Sequence, residues 1–163
     1  VSADIDKEWV ITDGDFEGGA NDDWDDSDWD DFDYGINVVE GGADGDTLTG
    51  TDGYDDLYGG DGDDQLSGGG DIDYLFGEAG NDTLTGGADT DDFFFDGEAG
   101  HDVITDFSNE EDILDFSGAD ITMDDLTVAQ QDGGTMISWG ENSVFLEGVS
   151  EPLAEDAFSF DYF

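Results

Sequence analysis

GGADGDTLT, GTDGYDDLY, GGDGDDQLS, GGGDIDYLF, GEAGNDTLT and GGADTDDFF follow one another without a break over residues 41–94, one nine-residue phrase written six times. Gly41, Gly50, Gly59, Gly68, Gly77 and Gly86 open the units, and Asp46, Asp55, Asp64, Asp73, Asp82 and Asp91 stand sixth in them. The eighth place is always apolar: Leu48, Leu57, Leu66, Leu75, Leu84 and Phe93. After a two-residue insertion, Phe95 and Asp96, a seventh unit (GEAGHDVIT, residues 97–105) brings Asp102 and Ile104 back into phase. Upstream, FDYGINVVE (residues 32–40) keeps only Gly35, Asn37 and Val39 of the pattern. A solvated Gly/Asp linker has a similar composition, but it has no reason to hold an apolar residue in phase with an acid.

Glycine at the first, second and fourth places supplies backbone that turns tightly with positive φ, and the residues ending on the apolar eighth place make a short strand. Turn plus strand, repeated, predicts an all-β fold, a parallel β-roll or solenoid with two turns and two strands per revolution and the eighth-place side chains stacked inward. Each unit is then half a revolution, so units two apart lie one above the other. That stacks Asp46 with Asp64 and Asp82, and Asp55 with Asp73 and Asp91. Carboxylates piled in this way repel one another unless a cation lies between them.

Calcium fits that role, because it takes six to eight hard oxygens in an adaptable shell and the turns present carbonyls beside each aspartate. Cysteine is absent and His101 is the only histidine, so the soft ligands that zinc or copper select are lacking. Magnesium fits less well, since it holds its waters and demands regular octahedral geometry. The expected metal ligands are the sixth-place acids Asp46, Asp55, Asp64, Asp73, Asp82, Asp91 and Asp102. Asp44, Asp71 and Asp89, which replace the fourth-place glycine, are expected to add oxygens, and Asn37 to make a weaker site with Asp55. Asp106 and Asp112 are expected to complete a last site near Asp102. His101, on a variable turn position, is expected to be exposed and without a role.

The formal charge of -47 comes from 48 acids against one base, Lys7. Such a field repels nucleic acid and anionic membranes and leaves no base to clamp a phosphate, so divalent cations are the natural partners. It also opposes compaction, and folding is expected to depend on calcium. No run of residues reads as a membrane span, and the start, VSADIDKEWVITDGD, lacks the succession of an N-terminal signal peptide. Millimolar calcium is found outside cells, which favours export by another route.

Three regions are expected. Residues 1–35 form an acidic segment with Trp24, Trp29 and Phe32 interleaved among aspartates, either a cap on the open end of the coil or a solvated tail. Residues 36–105 form the repeat roll. Residues 106–163 form a C-terminal β-sandwich-like cap, with strand signals in LTVAQ, TMISW and SVFLEGV separated by QDGG and GEN turns, after a short helix or turn at MDDL. Val128, Met136, Ile137, Val144, Phe145 and Leu146 supply its apolar face.

GGDGDDQLS, GEAGNDTLT and GGADTDDFFF, followed by HDVITDFSNEEDILDFSG, resemble the RTX domain, the hemolysin-type, serralysin-like calcium-binding β-roll at the C-terminus of exported bacterial proteins. The resemblance runs from Ile36 to Phe163, and DDLTVAQQDGGTMISWGENSVFLEGVSEPLAEDAF is similar to the family's secretion region. It implies one-step export by a type I secretion apparatus that reads an uncleaved C-terminus, an extracellular location, folding in external calcium, and an upstream catalytic or adhesive domain as usual partner. The chain carries no H-E-x-x-H and no G-x-S-x-G, and the reading is a non-catalytic calcium-binding module. Two other classes are weighed against it. One is an ancillary carbohydrate- or surface-binding module acting through Trp24 and Trp29. The other is a hydrolase using paired carboxylates, which the cation sites already account for.

Overall fold

The computed structural model describes residues 36–160, so the expected N-terminal cap with Trp24, Trp29 and Phe32 lies outside the described residues. Strands and turns alternate as the period demands: β1 (Asn37–Gly42), β2 (Thr47–Thr49), β3 (Asp55–Asp61), β4 (Gln65–Gly69), β5 (Tyr74–Ala79), β6 (Thr83–Gly87), β7 (Asp92–Asp96) and β8 (His101–Ile104). Odd and even strands go to different sheets. The first sheet runs β1-β3-β5-β7, and the second contains β8-β6-β4-β2, all parallel. Leu57 pairs with Leu75, Leu75 with Phe93, and Leu48 with Leu66 and then Leu84, so each revolution takes two units.

The eighth-place side chains fill the space between the sheets. Leu57, Leu75, Leu84, Phe93 and Ile104 are fully buried. Each contributes about 1.5–3 kcal/mol against leaving it in water. Leu48 retains 8% exposure, because its strand β2 is the edge strand of the second sheet.

Two residues of chain are inserted after Phe94, and the structure shows their use. Phe95 turns inward and is buried, stacked on Phe116 at 5.2 Å and edge-on to Trp139 at 5.5 Å. The insertion therefore supplies an extra ring where the hydrophobic column closes, and shifts the repeat distance there from 18 residues to 20.

The C-terminal part adds strands to both sheets. β9 (Ile113–Gly118) pairs parallel with β7, and β10 (Thr127–Gln131), β11 (Gly134–Trp139) and β12 (Asn142–Glu147) form an antiparallel meander. β12 then docks parallel on β8, so the meander extends the second sheet to seven strands. β13 (Phe158–Ser159) joins the first sheet beside β9. Ile137, Val144 and Leu146 are buried as expected of a core face, whereas Val128, on edge strand β10, is exposed. An edge strand has a neighbour on one side only, and all the residues of this one are exposed. MDDL forms a single 3-10 turn, Met123–Asp125.

Candidate metal centre

The sixth-place aspartates form two ladders, one along each row of turns. In the first, the backbone N–H of Asp46 donates to Asp64 Oδ1 at 2.7 Å, that of Asp64 to Asp82 Oδ1 at 2.8 Å, and that of Asp82 to Asp102 Oδ1 at 2.9 Å. In the second, Asp55 donates to Asp73 at 3.0 Å, Asp73 to Asp91 at 3.1 Å, and Asp91 to Asp112 at 3.0 Å. One oxygen of each acid is thus consumed by the rung before it. The chain needs aspartate at this place because a short carboxylate reaches the neighbouring backbone while keeping a second oxygen to spare.

The fate of that second oxygen separates the turns. In the first two complete units it closes on its own turn: Asp46 Oδ2 accepts the N–H of Gly42 at 2.7 Å, and Asp55 Oδ2 that of Thr51 at 2.6 Å. In the next three units the Oδ2 atoms of Asp64, Asp73 and Asp82 are buried with no hydrogen-bond partner. The backbone explains the switch. Gly60, Gly69 and Glu78, at the second place, have φ of +100°, +129° and +66°, and this left-handed turn leaves no donor on the carboxylate. Gly62, Asp71 and Asp89, at the fourth place, are also left-handed, at +128°, +62° and +74°; aspartate tolerates that conformation better than most residues.

Buried carboxylates are disfavoured in their charged form. Asp73 and Asp91 are pushed up to about 7, Asp82 to about 6 and Asp102 to about 8, first by burial and then by the neighbouring acids of the ladder. Asp64 and Asp112 are raised by the same cause.

A hard cation fits this arrangement. The first-place glycines let carboxylate and carbonyl crowd close, with no room for a side chain: a Cβ on Gly59 would lie 2.5 Å from Asp64 Oδ2 and 2.7 Å from the Gly77 carbonyl oxygen, and one on Gly68 would lie 2.2 Å from Asp73 Oδ2 and 2.7 Å from the Gly86 carbonyl oxygen. Orphaned carboxylate oxygens and turn carbonyls thus lie close together at the same turns. Among the described residues no three acidic or histidine side chains converge as one ligand set. The shell of an ion would be completed by turn carbonyls, which suits calcium.

The other expected ligands fall in different places. Asn37 donates its side-chain amide to Asp55 Oδ1, and its own Oδ1 is buried and unpaired. Asp44, Asp71 and Asp89 are exposed on the turns. Asp106 and Asp112 do not join Asp102. Asp106 accepts the N–H groups of Gly86 and Gly87, both at 3.0 Å, and Asp112 that of Asp91, so both end the ladder of Asp55, Asp73 and Asp91. The chain advances half a revolution between Asp102 and Asp112, which puts them on opposite turn rows. His101 is exposed, with Nδ1 3.0 Å from Ser143 Oγ, and its backbone N–H donates to Asn81 Oδ1. Buried Asp115, one residue beyond Leu114 on β9, carried no signal in the repeat.

The raised carboxyls set a pH dependence for the metal-free chain. Their folded pKa values lie above the unfolded value of about 4, so the folded form holds more protons between the two. The resulting penalty is complete above about pH 8, shrinks as pH falls through 8 to 6 and is gone near pH 4. In calcium-stripped buffer, β-structure measured by circular dichroism is expected to increase from pH 8.5 to pH 5. A decrease would contradict the burial of these acids.

Comparison with known proteins agrees with this geometry. A family model for the RTX calcium-binding nonapeptide repeat matches residues 40–75 and 67–104. The AlgE6R3 subunit of the mannuronan C5-epimerase of Azotobacter vinelandii is 33% identical, with a TM-score of 0.57, over 72% of this chain and 80% of that one. The extracellular lipase LipA of Serratia marcescens is 27% identical, with a TM-score of 0.63, over 76% of this chain but only 21% of the lipase. No match was found among curated proteins. Seven phased units, two aspartate ladders and these likenesses lead to one conclusion: the chain belongs to the RTX calcium-binding nonapeptide repeat family.

Proposed function

We infer that the chain is a calcium-binding module of a secreted protein, exported by a type I apparatus and folding when its turns take up calcium outside the cell. The observation that carries this reading is the set of buried, unpartnered Oδ2 atoms of Asp64, Asp73 and Asp82. A buried charged oxygen without a partner is costly, and a divalent ion removes that cost where a proton would have to do so otherwise. The family supports the calcium, and the charge of -47 supports a folding step that waits for it. Export through the C-terminus rests on the family resemblance. The roll at residues 36–105 is the ion-binding part, residues 106–163 its closing segment. Phe158 and Phe160 pack beside Phe116, at 6.5 and 5.7 Å, so the terminal segment also has a structural role.

The ion sites are expected at the turns of Asp64, Asp73, Asp82 and Asp91, with the Asp46 and Asp55 turns weaker because their second oxygens are already bonded. Replacing Asp64→Asn keeps an acceptor for the Asp46 N–H and removes a charge shared between stacked turns. Calorimetric titration should show fewer bound ions and a calcium midpoint raised about tenfold, while Asp132→Asn, exposed on the turn between β10 and β11 and outside the repeats, stays near the parent. Equal midpoints for all three proteins would sink the ligand assignment.

A further inference from the structure

The outer face of the first sheet carries a second feature. Tyr58, Phe76 and Phe94 stand on β3, β5 and β7 in register, one strand apart. Their rings stack at 4.5 Å and 4.2 Å, each pair inclined by 11°. Where this row meets β9, a pocket of about 340 Å³ opens, walled by Phe76, Phe94 and Phe95 and edged by Glu78 and Asp96. Gly118, opposite Asp96 in the register, leaves the space open by having no side chain. Glu40 and Asp61 add their charge at Glu78.

We propose that this pocket docks an arginine side chain of a partner polypeptide. An aromatic wall beside two carboxylates matches a guanidinium, which is flat, weakly hydrated, stacks on rings and pairs with carboxylates through its fork of donors. The described residues contain no lysine or arginine, so the protein supplies no such group of its own there. Charge removes the other occupants. A second copy of the chain brings another -47, and anionic polymers are repelled for the same reason. A purely apolar group would strip water from Glu78 and Asp96 and give them nothing back.

The test uses the calcium-loaded chain in physiological salt, the peptide acetyl-Gly-Arg-Gly-amide, and its citrulline counterpart, which keeps the shape and loses the charge. Backbone amide resonances of Phe94, Ser117 and Gly118 are expected to shift saturably with the arginine peptide and not with the citrulline one. The double variant Glu78→Gln, Asp96→Asn should weaken binding about fivefold, and the charge-matched Glu147→Gln, Glu151→Gln less than about twofold. Equal responses to the two peptides, shifts confined to the acidic turns, or equal losses in the two variants would each overturn the proposal. The peptide comparison is made on the unaltered chain, so it decides independently of how the variants fold.

Discussion

In a calcium chelator at neutral pH the chain is expected to lose its β-sheet signal and expand, and in millimolar calcium to recover both. The roll buries Asp55, Asp64, Asp73, Asp82, Asp91, Asp102 and Asp112, and the described residues hold no lysine or arginine to balance them. If four turns each see calcium at ten times its dissociation constant, each ion adds about 1.4 kcal/mol to the folded state. The sum of about 5–6 kcal/mol equals the entire stability of many domains. Without it, the remaining hydrophobic column must hold stacked carboxyls that are either charged and unpaired or forced to keep protons at neutral pH. Magnesium should fail to substitute, because its rigid, strongly hydrated shell does not suit carbonyl-rich turns. Far-UV circular dichroism and the hydrodynamic radius, with calcium, magnesium and chelator in turn, measure the effect directly. Identical spectra in calcium and chelator would remove calcium-driven folding from the account.

A single methyl group at the right glycine should do almost as much damage. Gly69 has φ of +129°, and a Cβ there would lie 1.9 Å from the carbonyl oxygen of Thr51, one revolution earlier. That carbonyl also accepts the N–H of Gly70, and the Gly69 carbonyl in turn accepts the N–H of Ala88, so the turns of this row are tied in a column. Gly69→Ala must leave the left-handed region or push the column apart. The conformational part alone costs about 1–2 kcal/mol, and the backbone clash takes the total to about 3 kcal/mol or more. In saturating calcium this should lower the melting temperature by roughly 10 °C. Gly97→Ala is the control: nothing lies within 4 Å of its added Cβ, and its φ is not left-handed. It should change stability by less than about 0.5 kcal/mol. If the two variants melt together, the close approach of successive turns is wrong.

Much of the site could be read without coordinates, because the period is the fold. A strict nine-residue phase between Asp64 and Leu66 places one on the turn and the other inside, and the two-unit revolution follows from having two turn-and-strand pairs per coil. The stacking of Asp64 on Asp82 and of Asp73 on Asp91 needed no more than that. Where the phase breaks, reasoning from spacing failed. Asp106 and Asp112 lie near Asp102 in the chain but end the other ladder, since the intervening residues carry the backbone half a revolution round. The meander after residue 126 has strand signals but no period, so its union with the second sheet, through Val144 beside Asp102, was not legible.

Local chemistry repeated in phase, glycine for the turn, aspartate for the rung and leucine for the column, is enough to specify the coil, because each unit contacts only its nearest neighbours along the axis. Three things were decided only in the tertiary structure: which oxygens remain unpaired, how Phe95, Phe116 and Trp139 plug the end, and where β12 docks. The first is set by backbone angles at Gly60, Gly69 and Glu78, and the other two by surfaces that meet only once the coil exists.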